Sequence, residues 1–161
     1  MLKTYQKRNL RILFQLLFLI LSIIFLFYRP FYFTKVIGNS MKPTLQPNSF
    51  VLANAMDKRY DIGDVVLAEQ NSELIIKRIA YVGGQKFPVV DLGLRKYNPL
   101  PAMQDIDYHM KYLKKYGINT FVYVVPKDHV FLIGDNDPES EDSRAFGALP
   151  IQNIKAKIIE P

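Results

Sequence analysis

Hydrophobic positions along this chain follow two regimes. The first is unbroken: from Ile12 to Tyr28 the sequence ILFQLLFLILSIIFLFY is apolar apart from Gln15 and Ser22, and Phe31, Tyr32 and Phe33 carry that character past Arg29 and Pro30. As a helix, roughly 20 such residues at about 1.5 Å each cross a hydrocarbon core of about 30 Å, and aromatic residues at the far end suit the lipid–water boundary. A secretory signal peptide shares the basic start and the apolar run, but small residues at a cleavage site follow it. Here Phe, Tyr, Arg, Pro and Lys occupy that stretch, so residues 12–33 are read as an uncleaved transmembrane anchor. Lys3, Lys7, Arg8 and Arg11 precede it. The positive-inside rule then keeps residues 1–11 in the cytoplasm and places residues 34–161 outside.

The second regime is one of short apolar or alternating runs: Phe50–Ala53, Val65–Ala68, Leu74–Val82, Thr120–Val125, Val130–Ile133 and Ile154–Ile159. These predict strands. Pro43, Pro47, Gly63, Gly83-Gly84, Pro126 and Gly134 punctuate them, which predicts a mostly antiparallel β domain rather than alternating βαβ units. One stretch differs. In Gln104–Tyr116, Ile106, Met110 and Leu113 share a helical face, acids come early, lysines come late, and Gly117 suits the helix end. A short helix is expected there, inside an insertion over residues 89–118 whose role the sequence does not disclose.

Composition narrows the chemistry. The 161 residues suffice for one membrane segment and one compact domain. The absence of Cys removes thiolate catalysis, Cys-based zinc sites and disulfides. The net charge of +6 is concentrated at the start, where residues 1–33 hold five bases and no acid. The remainder is nearly neutral and shows no basic stripe interleaved with aromatics, so nucleic acid is not an expected partner.

Three clusters carry candidate chemistry: residues 38–45 (GNSMKPTL), residues 75–79 (IIKRI) and residues 134–147 (GDNDPESEDSRAFG). Singly, each has a bland reading: a turn serine at Ser40, a snorkelling strand lysine at Lys77, a solvated acidic loop at the third. A serine nucleophile needs a base within hydrogen-bonding reach. His109 and His129 are the only histidines, and neither belongs to a recognisable Ser/His/Asp arrangement. A lysine can substitute when apolar neighbours, here Ile75, Ile76 and Ile79, disfavour its charged form.

In this order the clusters resemble the boxes of type I signal peptidases: S-M-x-P-T-L around the nucleophile, K-R, and G-D-N-x-x-x-S-x-D-S-R-x-F/Y-G, with Gly63-Asp64-Val65-Val66 similar to a short G-D-[IV]-V strand. The resemblance implies a mainly β fold of two antiparallel sheets with a small cap, preceded by one transmembrane helix. It implies Ser40 as nucleophile, Lys77 as general base, Ser140 holding the lysine ammonium, and Asp142 and Arg144 bracing the site, joined by Asp135 and Arg78. Gly38, Met41 and Pro43 fall on the substrate-binding side, and an apolar face of Phe31, Phe33, Val36 and Met41 is expected to dip into the membrane interface. The implied substrates are exported preproteins with small residues one and three positions before the cleaved bond. No metal or cofactor is called for.

Two departures stand out. Residues 89–118 match nothing familiar in that family, and Gly83-Gly84 stands where Gly-Asp is usual. A protease dedicated to a narrow set of substrates and a non-catalytic assembly factor for surface structures such as pili therefore remain as alternatives. A self-cleaving Ser/Lys repressor would carry a soluble DNA-binding domain in place of the anchor.

Overall fold

The computed structural model describes residues 2–28, 31–100 and 106–159. Helix α1 (Leu2–Tyr28) contains the apolar stretch Asn9–Leu26, long enough to cross a bilayer. It ends earlier than the apolar pattern suggests. Phe31–Lys35 is not its continuation but strand β1, paired antiparallel with β2 (Phe50–Asn54) from Phe31↔Asn54 to Lys35↔Phe50. The physical reason is in the sequence: Pro30 disfavours helical geometry in the residue before it and cannot extend the helix, and Phe31, Phe33 and Lys35 then alternate outward with Tyr32 and Thr34 inward.

The six predicted strands form. They are β2, β3 (Val65–Gln70), β4 (Glu73–Val82), β7 (Thr120–Val124), β8 (His129–Ile133) and β10 (Ile154–Ile159). With β1 and the two-residue β9 (Leu149–Pro150), all of these strands except β7 build a seven-stranded antiparallel sheet ordered β1-β2-β10-β3-β4-β8-β9. A second antiparallel sheet, ordered β6-β5-β7, comprises β5 (Lys86–Val90), β6 (Asn98–Pro99) and β7. The expected mainly β fold with two antiparallel sheets is therefore what the chain adopts. Strand β5 absorbs Val89 and Val90, so the first two residues of the insertion belong to the second sheet.

Helix α2 (Ile106–Lys115) lies within the expected helical stretch. Gly117 ends it at φ 76°, and Ile118 N–H donates back to the Leu113 carbonyl at 3.0 Å, a left-handed closing turn that glycine adopts at little cost. An aromatic core joins the two sheets: Tyr81 of β4 stacks on Phe87 of β5 at 3.8 Å, and Phe87 meets Phe131 of β8 edge-on at 5.1 Å. Under the other end of the larger sheet, Val36, Met41 and Leu45 pack with Val51, Ala53, Val65, Leu67, Ala156 and Ile158. Burial of those three side chains pins the loop that carries Ser40.

Candidate active site

Ser40 sits in a tight turn after β1. Val36 N–H donates to Ser49 O at 2.9 Å, Lys42 N–H to Asn39 O at 3.0 Å and Leu45 N–H to Met41 O at 2.8 Å, so the turn's shape is fixed on both sides of the serine. Gly38, at φ 80°, provides the reversal into it.

Strand β4 delivers the lysine. Lys77 pairs with the fully buried Val66 of β3, and only 5% of its surface is exposed. Its Nζ lies 2.7 Å from Ser40 Oγ. Burial pulls the ammonium below its ordinary value of 10.5; Asp142 and Glu141 oppose that shift and Arg144 adds to it. A deprotonated amine at this distance accepts the serine's proton.

The next residue faces the other way and ties the site together. Arg78 grips Asp135 through Nε at 2.9 Å and Nη2 at 2.7 Å, and donates from Nη1 to Gly63 O at 2.7 Å. Thr44 Oγ1 donates to the same carboxylate at 2.5 Å. Burial raises the Asp135 carboxyl, but the bonds from Arg78 and Thr44 outweigh it and leave it below the usual carboxylate range. The loop after β8 is latched directly to the serine turn: Asn136 N–H donates to Ser40 O at 2.9 Å.

Beyond that latch lies a buried carboxylate, Asp142, which caps the short helix α3 (Ser143–Phe146). It accepts from Gly134 N–H at 3.0 Å, Ser140 Oγ at 2.6 Å, Arg144 N–H at 3.2 Å, and Arg144 Nε and Nη2 at 2.8 and 2.7 Å. Arg144 also meets the Asp137 carboxylate. Burial and the neighbouring Arg95 push the guanidinium down to about 10, still charged at neutral pH. The Ser140 hydroxyl gives its proton to Asp142, and the hydrogen bond that Lys77 makes runs to Ser40.

Two depressions meet at the pair. One, of about 330 Å³, is lined by Gly38, Asn39, Glu73, Glu139, Glu141 and Phe146 among others; the second, of about 580 Å³, by Thr34, Ile37, Leu67, Leu74 and Ile76 among others. Ser40 and Lys77 border both. Among the described residues no group of three or more His, Cys, Asp or Glu is placed to hold a metal ion.

A serine and a buried lysine arranged this way have the geometry that a nucleophile and its base require. The family model described as "Signal peptidase, peptidase S26" matches residues 7–161. This chain belongs to the signal peptidase family. Among curated relatives it is 32% identical over 130 residues to the mitochondrial ATP-independent inner membrane protease subunit 1b of Arabidopsis thaliana, a match spanning 76% of this chain and 64% of that protein. It is 30% identical over 134 residues to the probable chloroplastic thylakoidal processing peptidase 2 of the same plant (73% and 34%), and 29% identical over 136 residues to signal peptidase I V of Bacillus subtilis strain 168 (74% and 79%).

Within this signal peptidase-family site, most residues expected from the sequence converge. Met41 and Val36 do not reach the surface: both are core residues, 1% and 2% exposed, so neither contributes to a face that touches lipid or substrate. Phe31 and Phe33 are exposed, Pro43 is exposed on the far side of Met41 in sequence, and Gly38 lines the smaller depression. His129 has its Nδ1 2.8 Å from Lys127 O, and His109 is on α2; neither lines the clefts at Ser40.

Thr44, Gly134 and Ser143 were missed as participants, although each lies within a quoted box. Ser143 Oγ accepts from Leu132 N–H at 2.9 Å and ties β8 to α3. Gly134 leaves no room for a side chain: a Cβ there would stand 2.2 Å from Ser140 Oγ and 2.6 Å from Ser40 O. Gly134→Ala is expected to destabilise the fold by about 1–3 kcal/mol through overpacking and to lower activity. Chemical unfolding in detergent checks this, and a variant as stable as the wild type would show that the loop yields freely.

Proposed function

We propose that this chain is a membrane-anchored serine endopeptidase that removes N-terminal signal peptides from exported preproteins, with Ser40 as nucleophile and Lys77 as general base. The observation that carries the reading is the 2.7 Å approach of Nζ to Oγ with the lysine withdrawn from water. Neutral Lys77 takes the Ser40 proton as Oγ attacks the scissile carbonyl, and the ammonium so formed protonates the leaving amine as the C–N bond breaks. The acyl-enzyme is then hydrolysed by water, which Lys77 deprotonates in turn. The Ser40 backbone N–H is the natural first donor to the oxyanion. Asp142 and Arg144 hold Ser140, and Arg78 and Asp135 hold the serine turn, as positioning residues.

Residues 1–11 are assigned to the cytoplasm, the apolar helix to the membrane, and the domain that follows to the outer surface, close to where signal peptides end. Support comes from the basic start, the apolar stretch Asn9–Leu26 and the membrane proteases among the relatives. The chemistry requires no cofactor. The test is cleavage of a preprotein with an Ala-x-Ala site, in detergent micelles, by the wild type and by Ser40→Ala. Cleavage by the wild type alone is expected; none by either refutes general signal peptidase activity and favours the assembly-factor or dedicated-substrate alternative.

A further inference from the structure

The segment between β5 and β6, inside the insertion to which the sequence assigns no role, reaches back to the site. Its backbone is fixed locally. Gly93 N–H donates to Asp91 Oδ1 at 2.9 Å, Leu92 N–H donates to the Arg95 carbonyl at 3.0 Å, and the Asn98 side-chain amide donates to that same carbonyl. From this platform Arg95 makes three bonds to the stretch that carries Ser140: Nη1 to Asp137 Oδ1 at 2.7 Å, and Nη2 to the carbonyls of Asp137 at 2.6 Å and Ser140 at 3.1 Å. Two residues on, Tyr97 N–H donates to the Arg144 carbonyl at 3.0 Å.

An exposed ion pair alone fixes little, and Asp137 is largely exposed. What distinguishes Arg95 is that two of its bonds end on main-chain carbonyls, which set the path of residues 137–140 rather than one rotamer. Ser140 passes that path to Asp142, and Asp142 to the Gly134 N–H. The same stretch walls the depression that holds Ser40 and Lys77. The charged groups acting on the lysine are Asp142, Glu141 and Arg144 from this loop, with Glu73 and Glu139 sharing the depression.

We propose that Arg95 is a positioning residue for the Ser40–Lys77 pair, clamping residues 137–140 so that the acidic loop stays closed beside Lys77 and keeps water from its amine. The insertion is thereby a buttress of the site. This rests on the proteolytic reading above for its kinetic consequence, but not for its effect on the lysine.

The experiment uses the full chain in detergent micelles with ε-¹³C-lysine, the Lys77 signal being assigned by its disappearance in Lys77→Met. In Arg95→Ala the Lys77 titration and the rising limb of the activity profile are both expected to move about one pH unit toward alkaline, equivalent to about a tenfold loss of kcat at a fixed pH below the limb. KM stays within about twofold, because no substrate contact is removed. Arg95→Lys, which keeps the charge but lacks the fork of donors, recovers part of the shift and carries the same test if Arg95→Ala fails to fold. Identical Lys77 titration in the wild type and a folded Arg95 variant overturns the clamp. If the wild type cleaves no preprotein, the proteolytic reading fails, and the titration still decides the clamp by itself.

Discussion

Lys77→Met abolishes cleavage, by about 10³-fold or more, yet leaves the chain at least as resistant to unfolding at pH 7 as the wild type. The two halves of this expectation come from one fact: the amine is buried, 2.7 Å from Ser40 Oγ, in a place that favours its neutral form. Removing the amine removes the proposed base, whereas a methionine of similar length fills the same space without a charge to desolvate. The sign of the pH dependence follows. The folded-state value lies below the ordinary 10.5, so between the two values the unfolded chain binds more protons than the folded one, and stability rises with pH. That contribution is complete above 10.5 and fades as pH falls through the folded-state value. The stability advantage of Lys77→Met should therefore shrink to nothing near pH 10.5, while wild-type activity climbs over the same window as the amine deprotonates. Unfolding midpoints of both proteins at pH 7 and 10.5, with a pH–rate profile, measure all of this. A midpoint several degrees lower for the variant at pH 7, or a flat rate profile, would show that the lysine is held as an ammonium for structural reasons.

Asp142→Ala has the largest expected cost in stability, about 3–5 kcal/mol, the range for removing one partner of a buried ion pair. Five hydrogen bonds converge on that carboxylate. Its loss strands the Arg144 guanidinium, whose side chain is 7% exposed, along with the Ser140 hydroxyl and the Gly134 N–H. Asp142→Asn keeps the volume and one acceptor and should lose less. Chemical denaturation in micelles distinguishes them. A cost under about 1 kcal/mol for the alanine variant would mean that the Asp137 carboxylate alone satisfies Arg144.

Much of this architecture is legible in the sequence because its signals are local. The apolar run Leu74–Val82, interrupted only by Lys77 and Arg78, and the turn residues around it define β4, and the spacing of Ile106, Met110 and Leu113 with Gly117 defines α2. The lysine's importance is visible as a charge set among Ile75, Ile76 and Ile79. What escaped was set by partners distant in the chain. Phe31–Phe33 read as more of the anchor, since nothing nearby reveals that β2 will pair with them. Pro88 disguised β5, because proline cannot donate to a ladder, and β6 pairs only with Val89 and Val90. Met41 sits in a motif and is apolar, which reads equally well as contact surface or core. Arg95 has no motif at all; its meaning comes from Asp137 and Ser140, more than 40 residues away.

The order of strands in the larger sheet bears on when the site can be assembled. Strand β10, which follows the other described strands along the chain, lies between β2 and β3. The Ser40 turn leads into β2, and Lys77 stands on the partner of β3, so the half of the sheet next to Ser40 and the half that carries Lys77 are bridged by residues 154–159. A chain still emerging from the ribosome or crossing a membrane, with that strip undelivered, has both halves but no sheet to align them. Assembly order thus leaves the larger sheet between Ser40 and Lys77 open until β10 has been delivered.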